Sequence, residues 1–269
     1  MEYTGISNGL LIIFGGIAGA LALVALVRRL FSAEVLRRGH DITGNLLSVV
    51  GTLYAVLLGL IVVDALVRFE GAVDVVQKES NCLADIFLLA DRLPEPQQSR
   101  MKDACRTYAT QVVEQEWPLM DRGLVSMEAR KTAFSLTRCL NDFEPKTEAE
   151  KAVFPLLLEQ IRSLWDYRRE RSSTAQYGIP LVEWFVLIVG GVVTVIFAGL
   201  FNAENTNLQR LLTAMAALII GLNLYLVSLF GYPFAGELSV SNRPFKIDLA
   251  IFDGRFNELP VRELEHPGP

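Results

Sequence analysis

Residues 44–63 read GNLLSVVGTLYAVLLGLIVV, without a single Asp, Glu, Lys or Arg. A helix needs roughly 20 apolar residues to cross a bilayer, whereas a water-soluble amphipathic helix shows a charge on its outer face every turn or two. Working outward, the same exclusion of charge recurs over residues 9–27, 184–203 and 211–236. Averages hide this, since the chain is 51% apolar and 20% charged over its 269 residues. The segregation predicts an all-α integral membrane protein with four transmembrane helices, and it excludes the soluble classes.

The first block is not read as a secretory signal. Glu2 precedes it and Arg28, Arg29, Arg37 and Arg38 follow it, the reverse of the charge order in a signal peptide. It is expected to be a retained helix with its N-terminus outside.

Between the second and third blocks lies a region of mixed charge with apolar residues at helical spacing. Phe69, Ala72, Val73, Val76, Leu83, Phe87 and Ala90 continue the second helix until Pro94 and Pro96 stop it. Met101, Ala104, Cys105, Tyr108, Val112 and Val113 predict another helix ending near Trp117 and Pro118. Residues 127–141 predict a third, with Ala133, Leu136 and Leu140 inward and Ser126 as its cap. A fourth opens at Thr147, which with Glu150 fits a capping box, and Pro155 either kinks it or marks its true start. Phe245, Leu249, Phe252 and Phe256 align on a short tail helix opened by Asn242 and Pro244. That stripe packs on the helical domain or docks on lipid headgroups. The expected division is residues 1–66 for two spans and an Arg-rich loop, 67–178 for an extramembrane helical domain, 179–236 for two more spans, and 237–269 for a tail with a disordered end. No hairpin signal supports a sheet, and no internal repeat is visible.

Charge bears on sidedness and partners. The short first loop sets four Arg against Glu34 and Asp41, and short Arg-rich loops stay in the cytoplasm. This orients the N-terminus, the 67–178 domain and the tail outside the cell (inner) membrane. Arg168, Arg169 and Arg171 near the third helix, and Arg68 beside the second, pull the other way, but long domains translocate with little regard to charge. The net charge of −5 forms no patch and no basic arm, so nucleic acid is not an expected partner. The bilayer is, with copies of the same chain.

Chemistry-bearing constellations are absent from the sequence pattern. His40 and His266 stand far apart, and Cys82, Cys105 and Cys139 match no metal spacing, so neither a metal, a cofactor nor a catalytic site is expected and the protein is not read as an enzyme. Cys82 and Cys105 are either bridged or buried free thiols. Gly15 and Gly19 form a GxxxG pair suited to close helix packing.

Polar groups inside the blocks say more, because each must find a partner or line water. Ser48, Thr52, Ala55, Gly59 and Val62 make one small, partly polar face of the second helix. It either packs on another helix, with its hydroxyls bonded back to their own carbonyls, or several copies surround an axis and leave room for ions. Asn223 is expected to bond across to a neighbouring helix. Asp64 and Glu183, at the ends of the second and third helices, are solvated, paired with Arg68 and Arg171, or ring an entrance in an oligomer.

This order of helices resembles the bestrophin-like family of membrane proteins. The resemblance rests on Leu53-Tyr54-Ala55-Val56-Leu57-Leu58-Gly59-Leu60, on Glu116-Trp117-Pro118, on Ile179-Pro180 with Trp184, and on Pro233-Phe234-Ala235-Gly236 followed by Pro244-Phe245. The more distant resemblance to bestrophins implies a pentameric ion channel whose second helix lines the pore, with Ser48, Thr52, Ala55 and Gly59 as lining and ions as permeants. It also implies a cytosolic helical domain, against the charge-based orientation. Two departures stand out. Ala235, Gly236 and Glu237 follow the Pro-Phe where calcium-gated bestrophins carry an acidic cluster, and Gly231 stands where the bestrophin-like family commonly has Asp. Two functions follow: an oligomeric ion channel, or a non-conducting membrane sensor that binds a partner through its helical domain.

Overall fold

The structure, a computed structural model, describes residues 6–32, 34, 40–141, 143–201 and 206–255. Glu2, Arg37, Arg38, Phe256, His266 and the chain end lie outside the described residues. Among the described residues every regular element is helical: α1 (Ile6–Leu30), α2 (His40–Leu89), α3 (Gln97–Gln111), α4 (Trp117–Met120), α5 (Met127–Asn141), α6 (Glu148–Gln176), α7 (Leu181–Leu200), α8 (Thr206–Phe230) and α9 (Arg243–Phe252). A 3-10 turn at Ala90–Arg92 closes α2, and a π-helical turn at Val112–Glu116 joins α3 to α4. Stretches within Gly9–Leu30, Ile42–Arg92, Glu148–Leu200 and Thr206–Phe230 are long and apolar enough to cross a membrane.

The chain divides into two compact units, one of residues 1–68 and 179–232, the other of residues 69–178 and 233–269. In the first, α1 and α7 both pack on α8, and α1 also packs on α7. Bare glycine surfaces set the close approaches: a Cβ at Gly221 would stand 3.3 Å from the Ile13 Cα, and one at Gly199 3.7 Å from Val24. Within the single chain the Gly15–Gly19 pair does not set a close approach. Gly15 and Gly19 meet nothing within 4 Å; Gly16 and Gly19 instead border an apolar cavity of about 380 Å³ shared with Ile188 and Leu224. At one end of these helices Arg28 donates to Gln209 at 2.9 Å, and the Gln209 amide donates to the carbonyls of Gly199 and Phe201 at 2.8 and 2.7 Å. This amide satisfies carbonyls that the end of α7 leaves without helical partners.

The second unit is built on a core that includes Leu83, Ile86, Met101, Cys105, Leu136 and Leu157. The Thr147–Glu150 capping box opens α6, and the Ser126 hydroxyl accepts from the Ala129 N–H at 3.2 Å to cap α5. Pro155 lies inside α6 and does not start it. Nor does Pro118 end a helix: it sits in the first turn of α4, where no intrahelical N–H donation is required. The tail helix α9 buries Phe245 and Phe252, with Phe252 stacked on Phe87 at 4.2 Å between ring centres. Of the two expected partners for its stripe, the protein's own helices receive it.

Candidate functional site

Two sets of residues stand out, one in each unit. On α2, Tyr54, Leu58 and Ala65 are buried, whereas Ser48, Thr52, Ala55 and Gly59 are all exposed. The Thr52 hydroxyl donates to the Ser48 carbonyl at 2.7 Å, so its donor needs no other helix. A Cβ at Gly59 would meet nothing within 4 Å. The small, polar face is therefore not the one that α2 uses to pack on its own chain. That role falls to Tyr54, whose hydroxyl donates to the Leu187 carbonyl at 3.0 Å and whose ring lies so close to Gly190 that a Cβ there would stand 2.5 Å from it.

Asp64 and Glu183 border one groove with Leu57, Leu60, Arg68 and Val186. Asp64 accepts from Arg68 at 2.8 Å. The expected pairing of Glu183 with Arg171 does not occur; Glu183 Oε2 is shut off from solvent without a hydrogen-bond partner. Asn223 also departs from expectation: its amide donates to the Ile219 carbonyl of its own helix at 2.9 Å. An i−4 carbonyl is always within reach of such a side chain, so the donor is satisfied locally. Pro180 precedes α7, and the Trp184 indole donates to the Tyr232 hydroxyl at 3.3 Å. Gly231 fits its place because a Cβ there would collide with Ile179 and with the Val227 carbonyl; the Asp of the resemblance has no room in this packing.

In the second unit a buried charge cluster gathers Glu79, Glu116, Arg168 and Arg171, of which sequence reading named Glu116 only as part of a motif and brought none together. Arg168 donates to both Glu116 oxygens at 2.7 Å each. Arg171 donates to both Glu79 oxygens at 2.6 and 2.9 Å and to Glu116 at 2.9 Å. The Tyr108 hydroxyl donates to Glu79 and accepts from Arg168, and the Ser126 N–H donates to Glu116 at 3.0 Å. Glu79, Glu116 and Arg171 have no solvent exposure and Arg168 has 4%. Burial of an ion carries a penalty of several kcal/mol, which only bidentate pairing with extra hydrogen bonds offsets. Two carboxylates face two guanidiniums, so the cluster is neutral. Burial alone would raise the Glu116 carboxyl, but Arg171 and Arg168 together hold it below the ordinary carboxylate range. Burial pushes the Tyr108 phenol far upward, keeping it a neutral donor.

The Glu116-Trp117-Pro118 and Pro-Phe motif residues meet around this cluster. The Arg171 guanidinium lies over the rings of Trp117 and Phe245, 5.5 and 5.8 Å from their centres. Trp117 meets Phe234 edge-on at 5.8 Å and donates its indole N–H to the Val240 carbonyl at 3.0 Å. Pro233 accepts from Val240 at 2.7 Å, and Gly236, at φ +79, donates its N–H to Asp121 at 3.0 Å. Pro244 in the first turn of α9 starts the helix that delivers Phe245. A signal for the missed residues was present. Leu157, Ile161, Leu164, Arg168 and Arg171 follow steps of four, three, four and three on α6, so the two arginines occupy the apolar register, as Glu79 does between Val76 and Leu83 on α2.

The three cysteines are free thiols, and among the described residues no three His, Cys, Asp or Glu side chains gather as a metal site would require. Four membrane-length helices joined to a helical unit with a buried ion cluster define an integral membrane protein of all-helical class. The chain belongs to the bestrophin-like family: residues 15–245 match the model described as Bestrophin-like domain. No curated protein matches it by sequence. Its fold is similar to that of a bacterial bestrophin homologue from Klebsiella pneumoniae bearing a point substitution, at TM-score 0.63 and 12% identity, covering 94% of this chain and 99% of that one. A second crystal structure, described as a membrane protein with a point substitution, is similar at TM-score 0.62 and 12% identity over 91% of this chain and 97% of that one.

Proposed function

We propose that the protein is a homo-oligomeric ion channel, with α2 of each copy turned to a shared axis and the Ser48, Thr52, Ala55 and Gly59 face lining the pathway. One observation carries the reading. The face of α2 built from small and hydroxyl residues is exposed in the single chain, although the helix has apolar residues enough to bury or to give to lipid. The back-bonded Thr52 hydroxyl and the open Gly59 suit a lining that lets ions and water pass. The resemblance to bestrophins supports the same assignment. Asp64 and Glu183 border one groove with Leu53, Leu57 and Leu60, a side of α2 different from the lining face, so they stand apart from the proposed pathway. The helical unit of residues 67–178 and the tail lie outside the bilayer, since their charges balance and their core closes on itself.

Native mass spectrometry and cryo-electron microscopy of the detergent-solubilised protein test the assembly, and ion flux into liposomes tests conduction. Oligomers that pass ions, with flux altered by Thr52→Leu or Gly59→Leu, are expected. A monomer that leaves liposomes ion-tight would sink the reading and favour a partner-binding protein acting through its helical unit. For sidedness we adopt the short Arg-rich loop as cytoplasmic in the cell (inner) membrane. Cys139 is the thiol to probe, because Cys82 and Cys105 are buried; a membrane-impermeant maleimide should label it in intact cells, and labelling only after lysis reverses the orientation.

A further inference from the structure

The tail helix α9 holds to its unit through Phe245, through Phe252 against Phe87, and through Arg106, which donates to the Phe252 carbonyl at 2.7 Å. Between the two phenylalanines, on the same helix face, comes Asp248, which is 4% exposed. Its surroundings differ from those of Glu79 and Glu116. From α2 the Ser80 hydroxyl donates to Asp248 Oδ2 at 2.5 Å, and Asp85 adds a like charge. From α3 the Cys105 thiol faces it, kept neutral because burial pushes that thiol far upward. Arg106, also on α3, is engaged with the Phe252 carbonyl and stands 3.8 Å from Asp253. Among the described residues no cation pairs with Asp248.

We propose that α9 is a pH-sensitive strap, docked while the Asp248 carboxyl is protonated and loosened when that carboxyl ionises in its uncompensated pocket. Burial pushes the carboxyl up to about 7, with the Ser80 hydrogen bond pulling against it and Asp85 pushing with it. Released into water, it returns to the ordinary value of 3.8. The docked state therefore binds more protons than the undocked state between those two values. Docking is strongest at the acid end, weakens as pH rises through this window, and levels off above it. From pH 6 to pH 8 the equilibrium constant for opening rises about tenfold by this linkage. Phe245 lies beneath the Arg171 guanidinium, so release of α9 also opens one wall of the buried ion cluster to water.

Hydrogen exchange of residues 243–252 in the full-length detergent-solubilised protein, corrected for the intrinsic pH dependence of exchange, tests it. Wild-type opening should rise about tenfold between pH 6 and pH 8. Asp248→Asn, which keeps the shape and removes the ionisation, should stay protected and flat. Asp85→Asn should level off at lower pH, and Ser80→Ala, which loses a donor favouring the ionised form, at higher pH. Wild-type exchange that follows only the intrinsic rate overturns the proposal, as does unchanged pH dependence in Asp248→Asn. Should Asp248→Asn not fold, infrared spectra of wild-type protein with labelled aspartate decide: a protonated-carboxyl band at pH 6 that vanishes by pH 8 supports the strap, and its absence at pH 6 overturns it.

Discussion

The two units treat polar groups in different ways. The helical unit of residues 69–178 and 233–269 carries its charges into the core and joins distant segments with them: Arg171 reaches Glu79 and Glu116, which lie on α2 and in the π-helical turn. In the unit with the membrane-length helices Tyr54 and, near the helix ends, Arg28 and Gln209 bond across helices, while other polar side chains stay local. Thr52 bonds to Ser48, Thr194 to Gly190 and Asn223 to Ile219, each one turn back along its own helix. The first strategy joins distant segments by ion pairs; the second joins helices by close approach at glycine, by Tyr54 and by the Arg28–Gln209 contact. That unit keeps the Ser48, Thr52, Ala55 and Gly59 face exposed in the single chain.

The contrast is tested hardest at Arg171. Arg171→Leu leaves Glu79 without its guanidinium and should destabilise the helical unit by about 3–5 kcal/mol, read by denaturant unfolding in detergent. Adding Glu79→Met should recover much of that loss, because the Glu116–Arg168 pair stays balanced; no recovery would mean that the cluster contributes packing and not pairing. In the other unit the sensitive point is steric. Gly190→Val drives a methyl-bearing carbon into the Tyr54 ring and should cost about 1–3 kcal/mol, with partial rescue by Tyr54→Ala; equal stability of Gly190→Val and wild type would show that α2 does not depend on this contact.

Acid should separate the units. Because Glu116 is held below its ordinary value, the stability it contributes is complete above the unfolded carboxylate value of 4.5 and is lost as pH falls through the lower folded value. Arg168→Gln, which removes one of its two guanidiniums, should move that loss to higher pH. With Trp117 and Trp165 replaced by Phe, Trp184 fluorescence should stay steady over the same range, since among the described residues its unit buries no such pair; a parallel change in both units would break the comparison. The smallest stability effect is expected on the exposed face of α2: Thr52→Leu should shift unfolding by no more than about 0.5 kcal/mol while changing ion flux.

Much of the fold was legible because helix periodicity and capping are local. The Thr147–Glu150 box, the Ser126 cap and the continuation of α2 to the turn before Pro94 all follow from neighbours within a few residues. The ion cluster was not legible as a cluster. Glu79, Glu116 and Arg168 are separated by long stretches of chain, and each alone reads as a surface charge on an amphipathic helix. Their positions in the apolar register hinted at burial, but not at which partner each would meet. The same limit explains Glu183 and Arg171, near each other in sequence, although Arg171 is buried in the other unit and paired there with Glu79.

Sequence by itself determined that this chain is all-helical, that four stretches exclude charge long enough to span a bilayer, and where its caps and the small polar face of α2 lie, because those features depend on composition and on spacing of three or four residues. Tertiary structure decided which face of α2 is buried, that Glu116, Trp117 and Phe245 converge on Arg171, and that Asp248 is sealed in without a cation among the described residues. Pairing and desolvation are properties of groups brought together from afar, and only the packed chain sets them.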